Sequence, residues 1–369
     1  MPGVYISWPF CAQKCTYCNF ASAVQPGLET AYTEALLSEI RDARFEWTPN
    51  TVFLGGGTPS GITPAVLGKI LGALPGVPWK EATMEAAPGS LTAGNIAAWR
   101  ALGINRVSLG VQSFIDKELA RTGRRHNAET VRRDVALLRA QGIDNINIDL
   151  IAGLPGQTDA SWRESLRATT GLGAPHVSVY MLEVDEDSRL GSEILAGGVR
   201  YGAGDVPTDD AIATFYELAA AELGRHGILR YEISNFARAG AESAHNLKYW
   251  HREPYLGFGA DAHSFDGALR WQNAEAARDY VNRISAGESC RTESASAIAH
   301  EEKFFVGLRL TEGVAPDARD WQRFGPALER FLLTGMMERS GDRVRLTPRG
   351  IMVSNEIFQE FIEPRERAA

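Results

Sequence analysis

Short apolar runs recur along the chain with room for one helix between each pair. They fall at VYISW (4–8), TVFLG (51–55), ATMEA (82–86), RVSLGVQ (106–112), INIDLIAG (146–153) and HVSVYML (176–182). Near-continuous apolar runs of this length predict strands covered on both faces, as in a parallel sheet. Between them, apolar residues recur at helical intervals over 29–45, 63–73, 92–102, 128–141 and 159–172, with another helix over 208–226 after the sixth strand. The repeat predicts an α/β fold built from βα units, either a doubly wound sheet or a partial barrel; spacing alone does not choose. The rhythm changes near residue 290: HEEKFFVGLRL and ALERFLLTGMMERS read as helices, RSGDRVRLTPRG as a hairpin or wing, and IMVSNEIFQEFI as a helix. The expected organisation is a βα core over 1–235, a connecting segment over 236–290, and a small helical, winged-helix-like domain over 291–369, read as a lid or partner surface.

Polar residues interrupt the pattern at one kind of place. A cysteine loop follows the first strand and GGGTPS the second; Glu85 ends the third, Gln112 the fourth, and Asp149 lies late in the fifth. Parallel α/β folds build their sites at the carboxyl ends of the strands, so this rim is the expected active site. A net charge of −8 argues against a broad nucleic-acid surface. No apolar run is long enough to cross a bilayer, and the cysteine cluster begins too early to leave room for a signal peptide, so a cytoplasmic protein is expected. Three of the four cysteines crowd into one loop, unlike a disulfide framework.

Cys11, Cys15 and Cys18 have C-x3-C-x2-C spacing. A structural zinc site would need a fourth ligand, Cys290 or a histidine. A redox pair of Cys15 and Cys18 would leave Cys11 without a role. A [4Fe–4S] cluster with three thiolate-held irons fits the count and leaves one iron open to bind and activate a second ligand.

With a glycine triplet after the second strand, this motif resembles the radical S-adenosylmethionine (SAM) superfamily, whose core is a partial (β/α)6 barrel. The resemblance implies that the amino and carboxylate groups of SAM chelate the open iron. It also implies that an electron from the cluster cleaves SAM to methionine and a 5′-deoxyadenosyl radical. "VYISWPFC", "FLGGGTPS", "LGVQSF", "GRRH", "NIDLIAGLPGQT" and "LGFGADAHSF" together resemble the subfamily of oxygen-independent coproporphyrinogen III oxidases (HemN) and HemW heme chaperones, over nearly the whole chain. By position it implies SAM contacts for Tyr5, Tyr17, Gly56, Gly57, Thr58, Glu85, Gln112, Arg124 and Asp149. Their chemistry suits this: a tyrosine can stack on adenine, glycines admit the methionine moiety closely, carboxylates take hydroxyls or ammonium, and arginine takes a carboxylate. Taken singly, each has a plainer reading: strand packing for Tyr5, a tight turn for GGGTPS, helix caps for Glu85 and Asp149, a solvated basic turn for Arg124.

Two departures separate the chain from the oxidases. They place a further cysteine two residues after the third, where this chain has Phe20, and they carry a long extension before the first strand. "HNLKYW" (245–250) resembles the HemW-type proteins and implies His245 as a heme-iron ligand, with Asn246, Tyr249 and Trp250 shaping its pocket. The segment NFARAGAESA (235–244) reads as a mobile loop that would present His245; His251 is the competing ligand, and a satisfied core histidine is the plainer reading of His245. The expected function is a heme chaperone that binds a [4Fe–4S] cluster, SAM and heme, with a heme-accepting protein and an electron donor as partners and no nucleic acid. A coproporphyrinogen III oxidase, or another radical SAM reaction on a tetrapyrrole, is the alternative.

Overall fold

The computed structural model describes residues 2–22, 24–25 and 27–362. All six expected strands form: β1 (Gly3–Trp8), β2 (Thr51–Gly56), β3 (Glu81–Ala86), β4 (Arg106–Gln112), β5 (Asn145–Ala152) and β6 (His176–Met181). They lie side by side in chain order, each parallel to the next. Helices Glu29–Asp42, Pro64–Gly72, Ala93–Ala101, Ala128–Ala140, Asp159–Leu172 and Asp209–Arg225 occupy the expected positions. Several start at a capping side chain visible in the sequence, with Thr63, Thr92, Asn127, Thr158 and Thr208 each accepting from the N–H three residues on. Within residues 1–235 two α-helices were not expected, Asp116–Arg121 and Arg189–Leu195, both too short to show a helical period; beyond them Ala244–Trp250 and Ala277–Ser285 were not expected either.

Alternate strand residues face opposite ways. Ile146, Ile148 and Leu150 of β5 are fully buried beneath the helices, as are Val52 and Leu54 of β2. The other face of β5 carries Asn147 and Asp149. The register sets Glu85 beside Ser108, Ser108 beside Asn147, and Asn147 beside His176. That inner face is polar, and residues from β2 through β6 line a single cavity on it, so the sheet is curved around the site. The sheet stays open: β6 is followed across the sheet by β8 (Asn235–Ala237) and β7 (Leu229–Arg230), while β1 continues into β9 (Tyr255–Phe258), β10 (His263–Phe265), β11 (Leu269–Asn273) and β12 (Arg291–Ser296). A partial (β/α)6 barrel is therefore the fold.

The segment read as a connection does structural work at both edges. Strand β9 pairs with β1 in parallel, and β10 to β12 follow antiparallel. Strand β12 belongs to this sheet, so the carboxyl-terminal part begins after it, at helix Ala299–Phe305. The stretch 235–244 read as a mobile loop opens as β8 and closes on Ser243 and Ala244, the cap and first residue of helix Ala244–Trp250. The carboxyl-terminal part holds helices Ala299–Phe305 and Ala318–Leu333 and the hairpin of β13 (Met337–Ser340) and β14 (Arg343–Leu346). Phe304 stacks on Phe361 at 4.6 Å and meets Phe324 edge-on at 5.3 Å. Arg270 grips Glu302 through two bonds of 2.7 Å, and Thr311 N–H donates to Tyr231 C=O at 3.0 Å, fastening this part to the sheet.

Candidate functional site

The cysteine loop is pinned from two sides. Thr16 N–H donates to Thr122 C=O at 3.1 Å, and Gln13 donates to Gly123 C=O at 2.9 Å. Opposite, Leu190 N–H donates to Thr16 C=O at 2.8 Å, and Asn19 donates to Asp185 at 2.6 Å. Cys11 and Cys18 approach one hydroxyl, Ser22 Oγ, at 4.0 and 3.9 Å. All three thiols face the same cavity, of about 480 Å³. No three His, Cys, Asp or Glu side chains among the described residues converge on one ion, as zinc would require. A cubane seats each thiolate on a different iron and makes no such demand, so the loop fits a cluster better than a single metal.

Cys290 does not complete the set. Its Sγ lies 3.4 Å from both Glu39 Oε1 and Asn273 Oδ1, off the cavity. Burial and the Glu39 carboxylate push its thiol up to about 12, the opposite of an activated ligand.

The glycine triplet works by letting chain approach chain. Gly57 N–H donates to Trp8 C=O and Thr58 N–H to Phe10 C=O, both at 2.8 Å, so the loop runs on as a partner of the segment leading to Cys11. A β-carbon on Gly57 would sit 2.5 Å from Phe10 O, and Gly56 has φ of 108°. The close approach is to the protein's own backbone, a reason the sequence did not suggest.

Beyond that loop the cavity wall is charged. Glu85 accepts from Gly56 N–H at 3.2 Å, and burial, with the nearby Asp149 charge, raises its carboxyl to about 8. Asp149 accepts from Asn147 at 2.7 Å and Ser108 at 3.1 Å; burial raises its pKa and these bonds oppose the rise. Arg124 donates through Nε and Nη2 to Tyr17 OH at 3.1 and 2.8 Å, bracing the tyrosine that precedes Cys18. Gln112 ends β4 at φ 69°, a left-handed backbone uncommon for a side chain of this kind, and its buried Oε1 has no partner among the described residues. Strain and an orphaned acceptor together mark a side chain set for something other than packing.

Every expected cluster and SAM position lines this cavity except Tyr5; of the expected heme positions only Asn246 does, and His245, Tyr249, Trp250 and His251 do not. Tyr5 stacks on Phe53 at 6.0 Å and 19°, so Phe53, not Tyr5, presents an aromatic face to the cavity. His245 is fully buried; its Nδ1 is 2.9 Å from Thr51 Oγ1, its Nε2 is 2.8 Å from Tyr249 OH, and its backbone N–H donates to Glu81 at 2.9 Å. Burial pushes the imidazole down to about 3. In this structure His245 is not presented by a loop: both ring nitrogens are engaged in the core. Sequence reading missed Arg106, Ser108, Asn147, Ser178 and Tyr180 on the inner face. Their signal was present as polar residues at alternate positions of strands that read as apolar throughout.

Residues 5–169 match the Radical SAM superfamily and residues 299–353 match the HemN C-terminal domain. The chain is 34% identical to the heme chaperone HemW of Bacillus subtilis, over 98% of this chain and 99% of that one. It is 31% identical to HemW of Escherichia coli, over 97% of each. Coproporphyrinogen III oxidase (HemN) of Escherichia coli, a radical SAM enzyme, superposes with a TM-score of 0.82 at 20% identity, covering 98% of this chain and 90% of that one. That likeness establishes the fold. No helix among the described residues is long and apolar enough to cross a membrane.

Proposed function

The chain belongs to the radical SAM superfamily and, within it, to the family of HemW heme chaperones, and from that premise we propose that it binds heme and passes it to an acceptor protein in the cytoplasm. The observation that carries the reading is full-length likeness to HemW chaperones. It is supported by Phe20, 65% exposed at the site where the oxidases have another cysteine.

The superfamily implies a [4Fe–4S] cluster and SAM. In our reading Cys11, Cys15 and Cys18 would hold the cluster. Glu85, Gln112, Arg124 and Asp149, which line the same cavity beside the Gly56–Thr58 loop, would hold SAM. The cluster, when bound, supplies the electron that cleaves SAM. The chain's own contribution is positional: the braced cysteine loop fixes the ligands, and the enclosed carboxylates offer acceptors to ribose hydroxyls and ammonium without competing water. For heme the candidate ligand moves from His245 to His251, which ends the same helix with its side chain 42% exposed and Nδ1 3.8 Å from Glu312.

The test is anaerobic reconstitution followed by titration with heme, watching the Soret band, and incubation with coproporphyrinogen III, SAM and reductant. Binding of about one heme per chain, a band shifted by His251→Ala, and unchanged coproporphyrinogen III are expected. Steady decarboxylation of coproporphyrinogen III with no heme uptake refutes the chaperone reading and favours the oxidase.

A further inference from the structure

Three guanidinium groups line the cavity among the described residues, those of Arg106, Arg124 and Arg309. Arg124 is committed to Tyr17. Arg309 lies over the Trp250 ring at 4.5 Å and faces Glu232, whose carboxyl it pulls down against the effect of burial. Arg106 is different. It is 2% exposed, whereas Arg309 is only half-buried; its Nε, like that of Arg309, has no hydrogen-bond partner among the described residues, but no aromatic ring covers it. A buried, unpaired cation costs several kcal/mol, so a fold that keeps one in a cavity wall needs a compensating partner there.

Its neighbours do not supply that partner. Across the sheet, Ser108 and Asn147 bond to Asp149, and Asn147 Oδ1 is 2.6 Å from His176 Nδ1. His176 in turn meets Tyr231 OH at 2.9 Å through Nε2, and burial keeps the imidazole neutral. Glu85 and Asp149 feel the Arg106 charge at a distance only. Thr83 and Asn145, paired with Arg106 on the two neighbouring strands, each keep a buried side-chain oxygen without a partner among the described residues, and Arg106 lines the cavity that a ligand can fill.

We infer that Arg106 is a carboxylate-binding residue at the floor of the cavity. The inference rests on the heme-binding reading for its preferred ligand. A planar guanidinium binds a carboxylate through two parallel bonds, and such a pair inside protein repays the desolvation of both groups. Two sources offer this chemistry: a propionate arm of the tetrapyrrole and the methionine carboxylate of SAM. Depth favours the propionate. Arg106 opens β4 and Gln112 closes it, a separation of about 20 Å along a strand, whereas SAM is anchored at the cluster beside the rim. A propionate arm is only a few bonds long, so the edge of the tetrapyrrole itself must enter the cavity for its acid to meet Arg106; SAM held at the rim leaves its carboxylate far from that floor.

The experiment uses the reconstituted full chain, titrated with iron deuteroporphyrin as the free diacid, with its dimethyl ester, and separately with SAM. Wild type is expected to bind the diacid at least about tenfold more tightly than the ester. Arg106→Gln should erase that preference, and Arg106→Lys should keep part of it, with SAM affinity unchanged in both. If Arg106→Gln instead weakens SAM about tenfold and leaves the porphyrin preference intact, the carboxylate site stands with SAM as its ligand. Equal binding of diacid and ester by wild type, with SAM indifferent to both variants, overturns the inference and leaves Arg106 as a counter-charge to Glu85 and Asp149. The wild-type comparison needs no variant to fold, and circular dichroism with iron content checks those that are made. If wild type takes up neither porphyrin, the heme reading fails, and the SAM titration alone decides Arg106.

Discussion

Replacing Gly57 by alanine tests the claim that the glycine loop is built for contact with the chain itself. The added β-carbon would meet three backbone atoms of Phe10, at 2.5 Å from O, 2.7 Å from C and 2.9 Å from N. None is the end of a flexible side chain, so either the loop or the segment before Cys11 must move. Overpacking of this kind costs about 1–3 kcal/mol. The displacement also strains two backbone bonds, Gly57 to Trp8 and Thr58 to Phe10, worth about 0.5–1.5 kcal/mol each. The loss should be about 2–6 kcal/mol. Because Phe10 adjoins Cys11, iron content after reconstitution should fall as well. The assay is denaturant unfolding of the apo chain together with iron and sulfide analysis. Gly61→Ala is the control, since a β-carbon there meets nothing within 4 Å, and it should lie within about 0.5 kcal/mol of wild type. A Gly57→Ala chain as stable and as iron-loaded as wild type, or an equal loss in Gly61→Ala, would refute the reasoning.

Alanine at Cys11, Cys15 or Cys18 should abolish the reconstituted cluster, while Cys290→Ala should keep all of its iron, because that thiol is packed against Glu39 away from the cavity; iron and sulfide content decides. His245 and Glu85 should give opposite pH dependences of stability. His245 titrates at about 3 when folded and near 6.5 when unfolded, so its contribution is full above pH 6.5 and is lost as pH falls toward 3; His245→Gln should remove up to ~1.4 kcal/mol per pH unit of that slope. Glu85 is raised to about 8, so the folded state holds a proton that the unfolded chain releases, and its contribution is lost as pH rises from about 4.5 through 8. Unfolding curves for Glu85→Gln should be flatter over that window, and an unchanged slope would show that its carboxyl is not raised.

The order of strands and helices was legible because burial on a parallel sheet imposes runs and periods that any chain of this fold must show. The cysteine loop was legible too, since thiolate count and spacing are local chemistry. The sequence also grouped Glu85, Gln112 and Asp149, because Glu85 and Gln112 fall at the carboxyl ends of parallel strands and Asp149 late in one. Tertiary structure alone decided which side chains are free. His245 looks like a ligand in a row of letters, and Thr51 and Tyr249, distant by almost two hundred residues and by one helical turn, take both its nitrogens. Cys290 looks like a spare thiol until Glu39 and Asn273 enclose it. Arg106 lies inside an apolar run and attracts no notice, yet it emerges as a fully buried guanidinium on the cavity wall whose Nε has no partner among the described residues. Hydrogen-bond satisfaction depends on partners brought together across the sheet, and a linear pattern carries no record of those partners.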